Sequence, residues 1–202
     1  MKPTDSTASS SDDRWRTGSD GWLLGARHCP SPNRDARPAG VDPSLIVLHG
    51  ISLPPGEFGG SAIEELFCNR LDWDAHPYFK TIEGMQVSAH VLVRRDGELV
   101  QFVPFGERAW HAGLSSFRGV DRCNDYSIGI EMEGEDEQPY ADAQYVAVAA
   151  LINTLVRDYP SLDYRRIAAH SDIAPGRKTD PGPAFDWLRL YDGLDRHRNG
   201  ET

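Results

Sequence analysis

Residues 168–183, AAHSDIAPGRKTDPGP, gather an imidazole (His170), two carboxylates (Asp172 and Asp180) and an ammonium (Lys178) in a Pro/Gly-rich loop. The segment has almost no aliphatic side chain to bury, so it does not build core. Its Pro175, Gly176 and Pro181 are residues that fix turn geometry and thereby aim their neighbours. A second imidazole, His49, ends the otherwise apolar run SLIVLHG (44–50). A side chain at a strand end projects from a rigid sheet into whatever crevice the loops enclose. Catalytic zinc sites often use three protein ligands of His and carboxylate type and keep a fourth position open for water. His49, His170 and Asp180 would make such a set, and Lys178 would be carried into the same space. The plainer alternative for Lys178 is an exposed surface ammonium. Asp172 has only a turn-capping role to offer.

Glu131 is the remaining candidate. In YSIGIEMEG (126–134) Ile128, Ile130 and Met132 share one face of a strand, while Ser127, Gly129, Glu131 and Glu133 share the other. Glu131 therefore points at water or at a cleft. Glu131 and Glu133 on one face are mildly unfavourable without a nearby cation, which a zinc ion or Lys178 could supply. The other histidines carry weaker signals. His111, in AWHAG beside Trp110 and Gly113, suits a pocket wall; His90 lies opposite the apolar face of its strand; His28, His76 and His197 read as packed or solvent-facing side chains. The ligand set is scattered along the chain and lacks the compactness of an H-E-x-x-H motif.

The elements that must position these groups alternate between strand and helix. FGGSAIEELFCN offers Ser61 and Glu64 as a capping box ahead of a short helix. QVSAHVLVRRDGELVQFVP reads as two strands around an Asp96-Gly97 turn, with Val87, Ala89, Val91 and Val93 on one face. DAQYVAVAALINTLVRDYP switches to helical period, its stripe formed by Tyr145, Val148, Ile152, Leu155, Val156 and Tyr159. RRIAAH is a short strand, and AFDWLRLYDGL a final amphipathic helix with Gly193 as its C-terminal cap. This order predicts an α/β (α+β) domain: a central mixed β-sheet flanked by helices. The expected organisation is a disordered polar tail over 1–20, one domain over 21–195 and a polar tail over 196–202.

The 202 residues suit one compact core, being 39% hydrophobic and 26% charged. A formal net charge of −10 disfavours nucleic acid or an anionic membrane as the main partner. No apolar run spans a bilayer and the first twenty residues lack a secretory signal. The three cysteines, Cys29, Cys68 and Cys123, form no C-x-x-C pair. They make neither a disulfide framework nor a cysteine zinc cluster, and they point to a reducing cytoplasm.

IVLHGISLPPGEFGG, VSAHVLVRRDGELVQFVPF, RAWHAG, CNDYSIGIEMEG and HSDIAPGRKTDPGPAFDW, in that order over residues 21–192, resemble the zinc-dependent N-acetylmuramyl-L-alanine amidases. The resemblance is nearest to the cytoplasmic 1,6-anhydro-N-acetylmuramyl-L-alanine amidases, the AmpD type. It implies the fold shared with peptidoglycan recognition proteins and phage lysozyme-like amidases. It also implies Zn2+ on His49, His170 and Asp180, with Glu131 and Lys178 as catalytic residues. Arg122 matches a basic position that helps hold the anhydromuropeptide, and Gly50, Gln86 and His111 fall at substrate-side positions. Two of these depart from the pattern: the family has Asn where this chain has Gly50 and commonly Arg where it has Gln86. The implied reaction is hydrolysis of the amide between (anhydro-)N-acetylmuramic acid and L-alanine during murein recycling, by a monomer acting on a muropeptide. The competing expectations are a muropeptide-binding module without activity and an endolysin-like amidase acting on intact peptidoglycan.

Overall fold

A computed structural model describes residues 15–198 of the chain. Six strands form one mixed sheet: β1 (Arg27–His28), β2 (Leu45–Ile51), β3 (Val91–Val93), β4 (Leu99–Gln101), β5 (Ser127–Glu133) and β6 (Ile167–Ala169). Their spatial order is β6-β2-β5-β3-β4-β1. All neighbours run parallel except the β3–β4 hairpin. Among the described residues five α-helices accompany the sheet: α1 (Ala62–Phe67), α2 (Pro77–Thr81), α3 (Asp142–Asp158), α4 (His170–Ile173) and α5 (Trp187–Arg198). The expected mixed sheet flanked by helices is the architecture found.

The two sheet faces are covered differently. On one, Ile46, Leu48, Val91, Val93, Ile128, Ile130 and Met132 pack against Val148, Leu151, Ile152 and Leu155 of α3 and Leu190 and Leu194 of α5. The alternation read in the sequence thus defines this face. On the other, two smaller clusters sit side by side. One joins Leu92, Val100 and Phe102 to Ile63, Phe67 and Phe79 of α1 and α2; the other joins Leu45, Val47 and Ala168 to Cys123 and Ile173. The polar row of β5 runs along this second face, yet every residue of the strand is buried. Ser127, Gly129, Glu131 and Glu133 therefore face protein rather than solvent.

Several local expectations need correction. Residues 15–20 are not tail: Trp15 is buried in the main core, Arg16–Thr17 pairs with Leu23–Leu24, and Thr17 N donates to Asp158 Oδ2 at 3.1 Å. At the other end α5 runs through the expected boundary at 195. The rest of both tails, residues 1–14 and 199–202, lies outside the described residues, as does the His197 side chain. Gly193 does not cap α5 but lies inside it, where an added Cβ would come within 3.1 Å of Ala149 Cβ on α3; the missing side chain lets the helices approach. The Ser61–Glu64 capping box does not form. Ser61 Oγ donates to Glu65 Oε1 at 2.8 Å, and Glu64 is drawn instead to Arg27 and Arg94. In the first arm of the hairpin only Val91–Val93 is strand. Ala89 packs with the α1 and α2 cluster, on the opposite side from Val91 and Val93. Gly97, at φ 86°, supplies the left-handed turn residue expected.

A chain of ion pairs ties the second face together. Glu98 meets Arg27 (2.8 Å), Arg27 meets Glu64 (2.8 Å), Glu64 meets Arg94 (2.6 Å) and Arg94 meets Glu133 (2.9 Å). The cation expected beside the Glu131/Glu133 row is thus Arg94, and it serves Glu133. The Glu133 side chain is 1% exposed, whereas that of Arg27 is 44% exposed. Removing Arg94 strands a buried carboxylate; removing Arg27 does not. Arg94→Ala should therefore destabilise the protein by about 3–5 kcal/mol and Arg27→Ala by about 1 kcal/mol or less. Urea unfolding of both variants checks this, and equal losses would contradict it.

Candidate active site

Strand register builds the site. In the parallel β2–β5 pair, His49 lies opposite Glu131. In the β2–β6 pair, Ala169 lies opposite Leu48, so His170 follows at the level of His49. Three adjacent parallel strands thus deliver His170, His49 and Glu131 at their carboxyl ends, the side where open parallel sheets place their ligands. His170 begins α4, whose first turn is capped by Asp172: its Oδ2 accepts from Ala169 N at 2.8 Å. The turn-capping role expected of Asp172 is the one it has. The loop then returns through Gly176, at φ 76°, to bring Asp180 back, and Ser171 N donates to Asp180 O at 3.1 Å.

Three donor atoms converge as a result. His49 Nδ1 and His170 Nδ1 are 2.9 Å apart, and Asp180 Oδ2 lies 3.0 Å from His170 Nδ1 and 3.3 Å from His49 Nδ1. Ligands at bonds of about 2.0 Å around a tetrahedral ion stand roughly 3.3 Å from one another. These three residues can hold a metal ion. Burial lowers the His49 imidazole to about 4 despite Asp180. Burial pushes the Asp180 carboxyl upward, but the hydrogen bonds with His170 and His49 outweigh it and hold the group well below the usual range. The centre is therefore two imidazoles and a carboxylate poised to donate electron pairs.

The far side of each ring is also occupied. His170 Nε2 lies 3.3 Å from Ala112 O, a pure acceptor that would hold a proton on Nε2 whenever Nδ1 binds a metal. His49 Nε2 lies 2.9 Å from His111 Nδ1, and His111 Nε2 lies 3.1 Å from Ser127 Oγ. Along His49–His111–Ser127 one proton has two arrangements, and one of them leaves His49 Nδ1 bare as a ligand must be. His111 is therefore behind a ligand rather than in the wall expected for it. Gly129 makes this possible, because a Cβ there would collide with the His111 ring. His90 is fully buried beside this group. Its Nδ1 accepts from Gly129 N at 3.0 Å and its Nε2 meets Glu107 O at 3.1 Å.

Glu131 is buried, and its Oε2 has no hydrogen-bond partner among the described residues. Burial, then repulsion from Asp180, raises its carboxyl well above 4.5, while Lys178 pulls it down. Lys178 is exposed and its charge also bears on His49. The remaining sequence candidates are more distant from the chemistry. Arg122 adopts a left-handed conformation at φ 62°, is 73% exposed and pairs with Asp125 at 3.1 Å. Gln86 is exposed. Neither is bonded to the donor triad among the described residues. Gly50 leaves room for Tyr140, whose hydroxyl would meet a Cβ there and which donates to Pro181 O at 2.9 Å.

A family profile described as N-acetylmuramoyl-L-alanine amidase matches residues 39–183. The chain belongs to that family. The amidase is 58% identical over 171 residues to the 1,6-anhydro-N-acetylmuramyl-L-alanine amidase AmpD of Enterobacter cloacae, covering 85% of this chain and 91% of that one. It superposes on the crystal structure of a selenomethionine AmpD derivative with a TM-score of 0.85 at 56% identity, covering 87% and 97% of the two chains. A complex of Escherichia coli AmiD with anhydro-N-acetylmuramic acid-L-Ala-D-gamma-Glu-L-Lys matches with a TM-score of 0.56 at 30% identity, over 88% of the amidase and 65% of that chain.

Ser127, Gly129, Asn124 and Tyr140 also belong to the site, and their residue types alone carry no signal of it in the sequence. The position of Gly129 is the available signal, since a glycine inside a strand of bulky residues marks a close approach.

The buried imidazoles give the metal-free amidase a defined response to acid. Burial lowers His49 to about 4, and burial with Arg37 nearby lowers His90 to about 3, from an ordinary 6.5. The unfolded chain then takes up protons that the folded chain refuses. Their contribution is complete above pH 6.5 and is lost as pH falls toward 4. In chelator, lowering the pH from 6.5 to 5 should cost on the order of 2 kcal/mol per imidazole. Urea midpoints at the two pH values, taken in a Glu131→Gln chain so that the raised carboxyl cannot offset the loss, measure it; a midpoint that holds or rises on acidification would contradict the assignment.

Proposed function

We propose that this amidase hydrolyses the amide between the lactyl group of 1,6-anhydro-N-acetylmuramic acid and L-alanine of the stem peptide, in murein recycling, with zinc held by His49, His170 and Asp180. The observation that carries the reading is the convergence of two Nδ1 atoms and a carboxylate oxygen within 3.3 Å, beside a buried carboxyl that has no partner for Oε2. High identity to AmpD along nearly the whole matched length supports the anhydromuropeptide as substrate. Bound at these residues, zinc supplies a lowered pKa for a coordinated water and polarisation of the scissile carbonyl.

The chain's own groups supply the rest. Glu131 stands at the level of His49, and burial, which raises its carboxyl above the ordinary range, makes it hold a proton more readily than a free carboxylate. It takes the proton from the attacking water and delivers it to the leaving nitrogen. Lys178, on the loop that carries Asp180 and close enough to bear electrostatically on Glu131, balances the negative charge that develops on the carbonyl oxygen. Arg122 and the surface around Gly50, Gln86 and His111 are the proposed substrate side. His111 contributes there indirectly, by orienting His49. The proposed working form is a cytoplasmic monomer with a muropeptide partner. Net charge −10 accords with neither nucleic acid nor an anionic membrane as partner, and the free thiols accord with a reducing compartment. Among the described residues no helix is long and apolar enough to cross a membrane.

Glu131→Gln should lower turnover of anhydromuropeptide by about 100-fold or more while zinc content and melting temperature hold. Asp180→Ala should lose zinc. Mass spectrometry of products from anhydromuropeptide and from intact sacculi, paired with elemental analysis, reads all of this. Free stem peptide released by the Glu131→Gln chain at the unaltered rate would remove Glu131 from the reaction. Release from sacculi alone would replace the substrate assignment.

A further inference from the structure

Both ligand imidazoles rest on one dipeptide. His111 presents Nδ1 to His49 Nε2 at 2.9 Å, and the next carbonyl, Ala112 O, meets His170 Nε2 at 3.3 Å. The backbone of the same two residues is gripped by one side chain: Asn124 Oδ1 accepts from His111 N at 3.1 Å and from Ala112 N at 2.8 Å. From the opposite side Arg177 Nη2 donates to Ala112 O at 2.5 Å and to Leu114 O at 2.7 Å. Asn124 is itself fixed. It sits in the short 3-10 turn Cys123–Asp125, entered through left-handed Arg122, and Arg37 Nη1 donates to its carbonyl at 3.3 Å. The turn is held in turn by Cys123 N donating to Ser115 Oγ at 3.2 Å.

We propose that Asn124 is a positioning residue of the metal centre, acting through the His111–Ala112 dipeptide on both histidine ligands at once. The inference rests on the metal reading above. An sp2 oxygen has two lone pairs, and Asn124 spends both on consecutive N–H groups. This fixes the plane of the dipeptide and so the direction from which His111 Nδ1 and Ala112 O approach the rings. The partner on the far nitrogen sets a ligating ring's orientation and tautomer. Here one amide sets two rings. The chemistry requires an acceptor at Asn124 and makes no use of its amide N–H groups. An aspartate should replace it; an alanine should not.

The test is zinc affinity, by competition against a chromophoric chelator, for the unaltered chain, Asn124→Ala and Asn124→Asp. Histidine side-chain NMR of the zinc form accompanies it. Asn124→Ala should bind zinc about 10–100-fold more weakly, and the Nε2 protons of His49 and His170 should exchange rapidly. Asn124→Asp should keep near-normal affinity and slow exchange. Unchanged affinity in the alanine chain, or an aspartate chain as weak as the alanine one, would overturn the inference. If the alanine chain does not fold, the aspartate chain decides: normal affinity supports an acceptor role and weak affinity overturns it. An unaltered chain that takes up no zinc overturns the metal reading, and this inference with it.

Discussion

The parallel pairing of β2 with β5 is the constraint on which the site depends. Because side chains alternate along a strand, a slip of one residue would turn Glu131 to the α3 face and Ile130 toward the donors. The register is held by hydrophobic burial: Ile46, Leu48, Ile128, Ile130 and Met132 must all meet α3. The core on one side of the sheet thereby dictates which polar groups meet on the other. Catalytic geometry is in this sense a by-product of packing, and the polar row needs no interaction of its own to find its partners.

Polar side chains set below a protein surface must find partners, and the second face shows how this chain provides them. Glu133 receives Arg94, Gly59 N and Arg95 N. His90 Nδ1 accepts from Gly129 N, and its Nε2 lies against the Glu107 carbonyl. His49, His111 and Ser127 form one line. Glu131 Oε2 stands apart from this pattern, with no partner among the described residues, and it is the group to which the proposed reaction assigns the proton. The contrast between Glu131 and Glu133, two residues apart on one strand, is between a carboxyl group with an unpartnered oxygen and one that is fully paired.

Much of this was legible in the sequence. Strict alternation in 126–134 places Glu131 opposite the apolar face, and the end of the apolar run 45–48 marks His49 as a ligand candidate, although β2 itself continues to Ile51. The fold class followed from alternating periods. What escaped reading was set by tertiary contact. Ser61 and Glu64 have the spacing of a capping box, but Arg27 and Arg94, remote in the chain, compete for Glu64 and win because they carry full charges. Gly193 has the look of a helix terminator, yet Ala149 of α3 explains it. Trp15, in a segment of polar composition, is ordered by a core whose other members begin eight residues later. His111 looked like pocket wall because sequence cannot show that Gly129 leaves a hollow behind His49. His49, His170 and Asp180, singled out by residue type, do come together, whereas Ser127, Gly129 and Tyr140, which act by shape or by holding another group, carry no such signal in the sequence.

Among the described residues the strand that precedes His170 lies at the edge of the sheet, with β2 as its only strand neighbour. Edge elements are where proteins open first, because fewer contacts must break. Two of the three donors, His170 and Asp180, leave with that edge if it detaches, while His49 stays in the interior of the sheet. Any ion bridging the three donors therefore laces a peripheral strand to a central one, across 121 residues of chain. Ligand binding and closure of the sheet edge become one equilibrium, and the protein is most resistant to fraying when it is also ready to work.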